Sequence, residues 1–233
     1  MSTVYLIPTF LNENALHTIP SYITQAIQKC SIFFVENEKS ARRYFKKVWK
    51  EMIIDDYKWI VIHKAEAEVI SEFKNCLKEN KTIGIVSEAG CPCIADPGQI
   101  LVAEAHKANA IVKPLVGPSS ILLALMASGF NGQQFSFHGY LPIDVNNRKK
   151  KIIELELDST KNNCTQIFIE TPYRNNSLLT DILTNCKNNT QLSIAVDLTS
   201  SNEWIKTETI QNWKKSIPNI HKKPAIFCLH SFV

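Results

Sequence analysis

Long apolar runs are missing from this chain of 233 residues. None approaches the roughly 18 residues that a membrane span needs, and the opening MSTVYLIPTF has neither the basic segment nor the cleavage site of a secretory leader. A soluble, cytoplasmic protein is expected. Paired cysteine spacing is missing as well. Cys30, Cys76, Cys91, Cys93, Cys164, Cys186 and Cys228 form an odd, scattered set, which speaks against a disulfide framework and for reduced thiols. Only Cys91 and Cys93 are close, on either side of Pro92. With no second pair and no histidine cluster beside them, no metal site is expected. The six histidines (His17, His63, His106, His138, His221 and His230) show no ligand spacing. There is no Gly-x-Ser-x-Gly elbow, no P-loop and no Gly-x-Gly-x-x-Gly fingerprint. These absences disfavour hydrolases, kinases and dehydrogenases, and point to chemistry in which the protein positions a reactive cofactor.

What is present begins with a core-forming composition, 45% apolar, enough for one large domain or two small ones. The net charge of +4 is too modest to announce a polyanionic partner, but its distribution is uneven. In EKSARRYFKKVWKEM the cations Lys39, Arg42, Arg43, Lys46, Lys47 and Lys50 recur at helical spacing. Ala41, Tyr44, Phe45, Val48, Trp49 and Met52 keep the same rhythm on the other side. The pattern predicts an amphipathic helix with a cationic face and no acid among its six cations. Such a face is either merely solvated or a phosphate contact. A second basic cluster runs from Arg148 to Lys151.

Strand-like and helical segments alternate from the start: TVYLIPT, a helix over Ile19 to Gln28, SIFFVE, the basic helix, KWIVIH, and a helix over Ala67 to Leu77. KTIGIV, a helix at QILVAEAHKANA and AIVKPLV continue the series. The alternation predicts βαβ units and an open, wound, parallel sheet. PLVGPSSILLALMASGF then places Ser119 as a helix cap after Gly117 and Pro118, ahead of an all-apolar helix expected to be buried. A boundary is drawn there, with domains 1–117 and 118–233. Beyond it the strands QFSFHGYL, TQIFIE, LSIAVDLT, EWIKTETI and AIFCLH are interrupted by helices near Lys149 to Glu156 and Leu178 to Asn185. Short polar links such as Ser200 to Asn202 predict hairpins and a mixed sheet. The fold class is therefore two α/β domains, with a cleft between them as the expected ligand site.

The loop SEAGCPCIADPG, Ser87 to Gly98, joins a predicted strand to a predicted helix. Its twelve residues exceed the usual connection of about 2 to 6. Gly90 can take up positive φ and present backbone N–H groups, and the loop leads into a helix N-terminus that favours negative charge. Asp96 and Pro97 read as the N-cap and first residue of that helix. A ligand cradle is the favoured reading.

Five segments, LIPTFLNEN, IVSEAGCPCIADPG, PLVGPSSILLALMASGF, FSFHGYLP and IFIETPYR, stand in the order and with the separations found in the tetrapyrrole methylase superfamily. They most resemble its ribosomal RNA small-subunit methyltransferase I branch. The resemblance implies a homodimer of two-domain α/β subunits, each with S-adenosylmethionine in the cleft. Carried onto this sequence, it implies cofactor contacts at Pro8, at Ser87, Ala89, Gly90, Cys91, Pro92 and Ile94, at Ser119 and Ser120, at Tyr140, Leu141 and Pro142, and at Ala225. A ribose hydroxyl needs help to lose its proton. Glu88, Glu170 and Arg174 are the candidate catalytic groups, and for Glu170 and Arg174 a structural ion pair is an equal alternative. The implied function is S-adenosylmethionine-dependent 2′-O-methylation of small-subunit rRNA, with RNA held by the basic helix Lys39 to Lys50 and the Arg148 cluster. A methylase of a tetrapyrrole precursor is the alternative enzyme. A non-catalytic binding protein that keeps the fold is the alternative from another class. The chain departs from the branch at Asn12, where the branch has glycine, at Glu36 to Lys39 in place of Glu-Asp-Thr-Arg, and at Val196 and Asp197 in place of an arginine and an acid.

Overall fold

A computed structural model describes residues 1–62 and 69–232. The end of the predicted strand at His63 and the start of the predicted helix at Ala67 lie outside the described residues. The chain divides into two compact units, Met1–Ser119 and Ser120–Val233.

The first unit is a five-stranded sheet in the order β3-β2-β4-β1-β5. It is built from β1 (Thr3–Ile7), β2 (Ile32–Val35), β3 (Lys58–Val61), β4 (Thr82–Val86) and β5 (Ile111–Pro114). Every pairing is parallel. Parallel strands need helical crossovers, which cover both faces. The helices are α1 (Ile23–Lys29), α2 (Glu38–Val48), α3 (Ile70–Lys78) and α4 (Gln99–Lys107). Side chains alternate across each strand, and the two cores follow that alternation. Tyr5, Ile7, Phe33 and Val35 pack with α1 and α2 through Ile27, Tyr44 and Phe45. Val4, Ile32, Phe34, Ile83 and Ile85 pack with α3 and α4 through Phe73, Cys76, Leu101 and Ala105. All four residues of β2 are buried, as a strand covered on both faces requires. Asn37 caps α2 by accepting the backbone N–H of Ser40 at 3.2 Å. The predicted helix from Ile19 starts only at Ile23, after Pro20 and a short 3-10 turn at Leu16–Thr18.

The second unit opens with α5 (Ser120–Ser128) and carries β6 (Phe135–Tyr140), α6 (Val145–Asn162), β7 (Thr165–Ile169) and α7 (Asn175–Asn185). It ends with β8 (Gln191–Val196), β9 (Trp204–Thr209), α8 (Ile210–Lys215) and β10 (Ala225–His230). The sheet order is β6-β7-β10-β8-β9. The β6–β7 pair is parallel and the others are antiparallel, so this is the expected mixed sheet. Its core gathers Ile152, Leu155, Phe168, Leu179, Ile182, Ile194, Trp213 and Phe227. Helix α6 is much longer than predicted, because Asp144 caps it by accepting the Asn147 N–H at 2.9 Å and Asn163 closes it at φ 49°. Helix α5 is a correction. Ile121, Ala124 and Leu125 are buried, but Leu122 is 50% exposed and Met126 79% exposed. Its apolar sequence serves a buried face against β8, β9 and β10 and an apolar face in the open.

Candidate functional site

In the first sheet β1 and β4 are neighbours, yet the chain leaves β1 for α1, packed on one face of the sheet, and leaves β4 for α4, packed on the other. Loops that part at the carboxyl ends of adjacent parallel strands open a crevice, the usual ligand position in such sheets. The two loops are joined at its base. The Thr9 N–H donates to the Gly90 carbonyl at 2.8 Å, and the Thr9 hydroxyl donates to the Ser87 carbonyl at 3.4 Å. A cavity of about 300 Å³ lies over this junction, lined by Thr9, Phe10, Leu11 and Glu13, by Ser40, Arg43 and Tyr44 of α2, and by Ser87, Glu88 and Ala89. That volume is at the lower end of small-molecule sites, about 300 to 1,000 Å³.

The junction depends on backbone close approach. Gly90 has φ +75°, and a Cβ there would meet Leu11 Cδ2 at 3.2 Å and the Pro118 carbonyl at 3.3 Å. A Cβ on Gly117 would fall 2.1 Å from Pro8 Cβ, so only glycine lets the chain after β5 lie against the end of β1. The Tyr44 hydroxyl donates to the Pro8 carbonyl at 2.8 Å. The Cys91 thiol reaches the carbonyls of Gly117 at 3.7 Å and Pro118 at 3.5 Å. Pro8, Gly90, Cys91 and the segment leading to Ser119 are thus knitted together, with Pro92 buried and Ile94 exposed in the same loop.

Asp96 does not cap the following helix. α4 begins at Gln99 with Gly98 in the cap position at φ 121°, and Cys93 and Ala95 take positive φ before it. The loop coils once more than predicted, and this partly buries the Asp96 side chain. Burial pushes its carboxyl up to about 6, the charge of Glu36 adds to the rise, a hydrogen bond from Ser87 opposes it, and Glu88 adds a little more. The other two carboxylates are held in place. Glu36 accepts the Glu88 N–H at 2.9 Å, and Glu88 accepts the Ser40 hydroxyl at 3.1 Å.

In the second sheet the strand directions bring a different set to one end. β6 and β7 finish there, β10 starts there and β8 finishes there, with Tyr140 opposite Ile169, Ile226 opposite Ile169 and Ala225 opposite Val196. Tyr140, Glu170, Ala225 and Asp197 therefore share one sheet end. Tyr140 and Pro142 are exposed and Leu141 is buried; Ser120 opens α5. The buried Glu170 carboxylate accepts from its neighbour Thr171 N–H at 2.6 Å and from Arg174 Nε at 3.1 Å and Nη2 at 2.6 Å, all at Oε1. Its Oε2 is buried without a hydrogen-bond partner. Glu170 and Arg174 thus form an ion pair at the end of β7. Among the described residues, no group of three histidine, cysteine or acidic side chains is placed to hold a metal ion.

No protein-family model matches the chain. Over 154 residues it is 34% identical to ribosomal RNA small subunit methyltransferase I of Vibrio cholerae, covering 65% of this chain and 52% of that protein. Over 114 residues it is 41% identical to the protein of the same name from Thermotoga maritima, covering 49% of each. The chain spans about half the length of the curated relatives it matches. Among solved structures, a diphthine synthase matches with TM-score 0.67 at 11% identity over 99% of this chain and 90% of that one. A uroporphyrin-III C-methyltransferase from Thermus thermophilus complexed with S-adenyl homocysteine matches with TM-score 0.58 at 10% identity, over 99% and 98%. The chain has the tetrapyrrole methylase fold. Its sequence resembles the ribosomal RNA small subunit methyltransferase I proteins.

Against this tetrapyrrole methylase frame, two expectations about charge need correction. α2 ends at Val48, so Lys50 lies past it, and its cations are not free of acids. Glu38 pairs with Arg42, while Glu13, from the loop after β1, pairs with Arg43 at 2.6 Å and Lys47 at 3.4 Å. Hydrogen bonding from Lys47 and the charges of Arg43 and Lys47 hold the Glu13 carboxyl below its ordinary value. Lys46 turns back to the Lys50 and Met52 carbonyls. In the second cluster Arg148 is buried and points inward, to Asp181 at 2.6 Å and to the Ile143 carbonyl at 2.9 Å. Lys151 pairs with Glu154 at 2.6 Å. Arg148 is therefore a structural residue and not a phosphate contact. Sequence reasoning also missed Thr9, Ser40 and Tyr44, whose roles come from strand order, and Glu36, which stood only as a departure from the family pattern.

Proposed function

We propose that this protein is an S-adenosylmethionine-dependent methyltransferase that modifies small-subunit rRNA, at a ribose hydroxyl. The observation that carries the reading is the Thr9–Gly90 junction at the switch point of the parallel sheet, in a chain 34 to 41% identical to rRNA small subunit methyltransferase I proteins. The residues present suit the cofactor. The junction offers backbone N–H and C=O groups where a side chain at Gly90 would intrude, and three carboxylates border the loop, complementary to a sulfonium and an ammonium group. Pro8, Ser87, Ala89, Gly90, Cys91, Pro92, Ile94 and Ser119 would hold the donor, and the family resemblance adds Ser120, Tyr140, Leu141, Pro142 and Ala225. When bound, S-adenosylmethionine supplies the activated methyl group.

The chain's own work is positioning and proton handling. Loops pinned to β1 and β4 hold the acceptor oxygen in line and keep water from it. Glu88, exposed at the cavity wall, is the group best placed to accept the proton of an entering hydroxyl. Glu170, committed to Arg174, acts by fixing that guanidinium. A cytoplasmic homodimer is part of the same reading. In favour of a second copy, large apolar side chains of the second unit are exposed, among them Leu122, Met126, Tyr140, Ile143 and Val145.

The test is transfer of a labelled methyl group to small ribosomal subunits isolated from cells lacking this gene. Label in rRNA, on a nuclease-resistant 2′-O-methyl dinucleotide, is the expected result. Donor binding without label in rRNA, but with label in a tetrapyrrole precursor, would replace the acceptor. Absence of both binding and transfer would leave a non-catalytic protein on the inherited fold.

A further inference from the structure

We propose that Tyr173 and the loop 219–224 of the second unit form a contact for unpaired RNA, Tyr173 stacking a base while Lys222 and Lys223 hold phosphates. This rests on the RNA reading above and gives it a location other than α2.

Tyr173 is 69% exposed, an unusual position for a large aromatic ring on a folded domain. The Lys222 ammonium sits over it at 5.8 Å from the ring centroid, and the His221 ring meets it edge to face at 5.9 Å and 78°. Lys222 is held in the left-handed region at φ 62°, and its N–H donates to the Pro172 carbonyl at 2.8 Å. The loop is fastened to the first turn of α7. The Asn175 amide donates to the Lys223 carbonyl at 2.6 Å, the Asn176 amide donates to Asn219 Oδ1 at 2.8 Å, and Asn176 Oδ1 accepts the Ile220 N–H at 2.9 Å. The ring and its cation are thus presented by a built surface.

The charge balance separates this patch from α2. Arg42, Arg43 and Lys47 each already hold a carboxylate. Among the described residues, Lys222 and Lys223 form no ion pair, and the acid nearest in sequence to Tyr173, Glu170, has a fully buried side chain. Cations without counter-charge beside an exposed ring match a single strand, in which bases free of pairing stack on aromatic faces and phosphates seek cations. An acidic protein surface would use the cations and leave the ring unused. The patch adjoins Glu170 and leads directly into Ala225, a proposed donor contact at the start of β10.

The experiment measures binding of purified small-subunit rRNA and of a short single-stranded RNA by the full chain, together with calorimetry of S-adenosylmethionine. Tyr173→Ala is expected to weaken single-strand binding about tenfold, which is about 1.4 kcal/mol and within the range for loss of one stacked base. Tyr173→Phe should keep wild-type affinity. Lys222→Glu should weaken binding and lower the logarithmic salt slope by about 0.7, the value for one single-strand phosphate. Donor affinity should not move in any of the three. Wild-type RNA binding with all three variants unchanged would overturn the patch and leave the proposed function standing. If the patch variants bind as wild type while Arg43→Glu with Lys47→Glu does not, the contact belongs to α2. Failure of the wild type to bind RNA, with donor binding intact, would overturn the RNA reading itself.

Discussion

The carboxyl ends of the parallel sheet and the corresponding end of the mixed sheet are held by different materials. The first is closed by backbone: the Thr9–Gly90 hydrogen bond, the approach of Gly117 to Pro8 and the thiol of Cys91 on two carbonyls. The second is closed by side chains: Arg148 on Asp181 and Ile143, Glu170 on Arg174, Asn175 on Lys223. A backbone-built site tolerates almost no added atoms but is indifferent to most side-chain chemistry. A side-chain-built end tolerates shape changes and fails when one partner of a buried polar pair is lost.

That difference can be broken most severely in the second unit. Arg148→Ala leaves the Asp181 carboxylate without its buried partner and should cost about 3 to 5 kcal/mol, read as a fall in the urea midpoint; replacing both residues with apolar ones of similar volume should recover most of it. In the first unit, Gly117→Ala puts a methyl group where Pro8 already is. The expected loss is about 1 to 3 kcal/mol, accompanied by loss of S-adenosylmethionine binding, which Arg148→Ala in its folded fraction should keep.

Asp96 sharpens the comparison through pH. Its folded value of about 6 lies above its ordinary value, so the folded protein binds more protons than the unfolded one between about pH 4 and 6. Stability should fall as pH rises through that window. Asp96→Asn, which can still bond Ser87, should flatten this profile and raise the melting temperature near pH 7. The smallest effect is expected at Glu13→Gln, whose carboxylate meets Arg43 and Lys47 in solvent. Thermal stability should stay within measurement scatter, because exposed pairs contribute little, and RNA affinity should rise a few-fold only if α2 touches RNA.

The same contrast governs what could be read from the sequence. The strands on both sides of the divide were legible because their apolar runs are short and bounded. The irregular loop after β4 was legible because of its length and Gly90, whereas the close approach of Gly117 to Pro8 was not, since Gly117 read only as punctuation before α5. Asp96 was misread because Asp-Pro-Gly looks like a cap when the preceding turn at Cys93 and Ala95 cannot be seen. The strand pattern through EWIKTETI hid α8, which Thr209 caps by accepting the Asn212 N–H at 3.2 Å. Pairings such as Arg148 with Asp181 or Tyr173 with Lys222 were illegible, because they join residues far apart in the chain through a strand order that no local pattern reveals. For α2, the six cations were visible but their counter-charge Glu13 was not, since it arrives from the loop after β1.

The proposal places a methyl donor at the Thr9–Gly90 junction. Calorimetric titration of S-adenosylmethionine into the wild type, Gly117→Ala and Lys222→Glu tests it most directly. The account predicts one donor per chain for the wild type and for Lys222→Glu, and none for Gly117→Ala at a temperature where that variant is still folded. Wild-type protein that binds no donor, or a folded Gly117→Ala that binds it as tightly as the wild type, would contradict it.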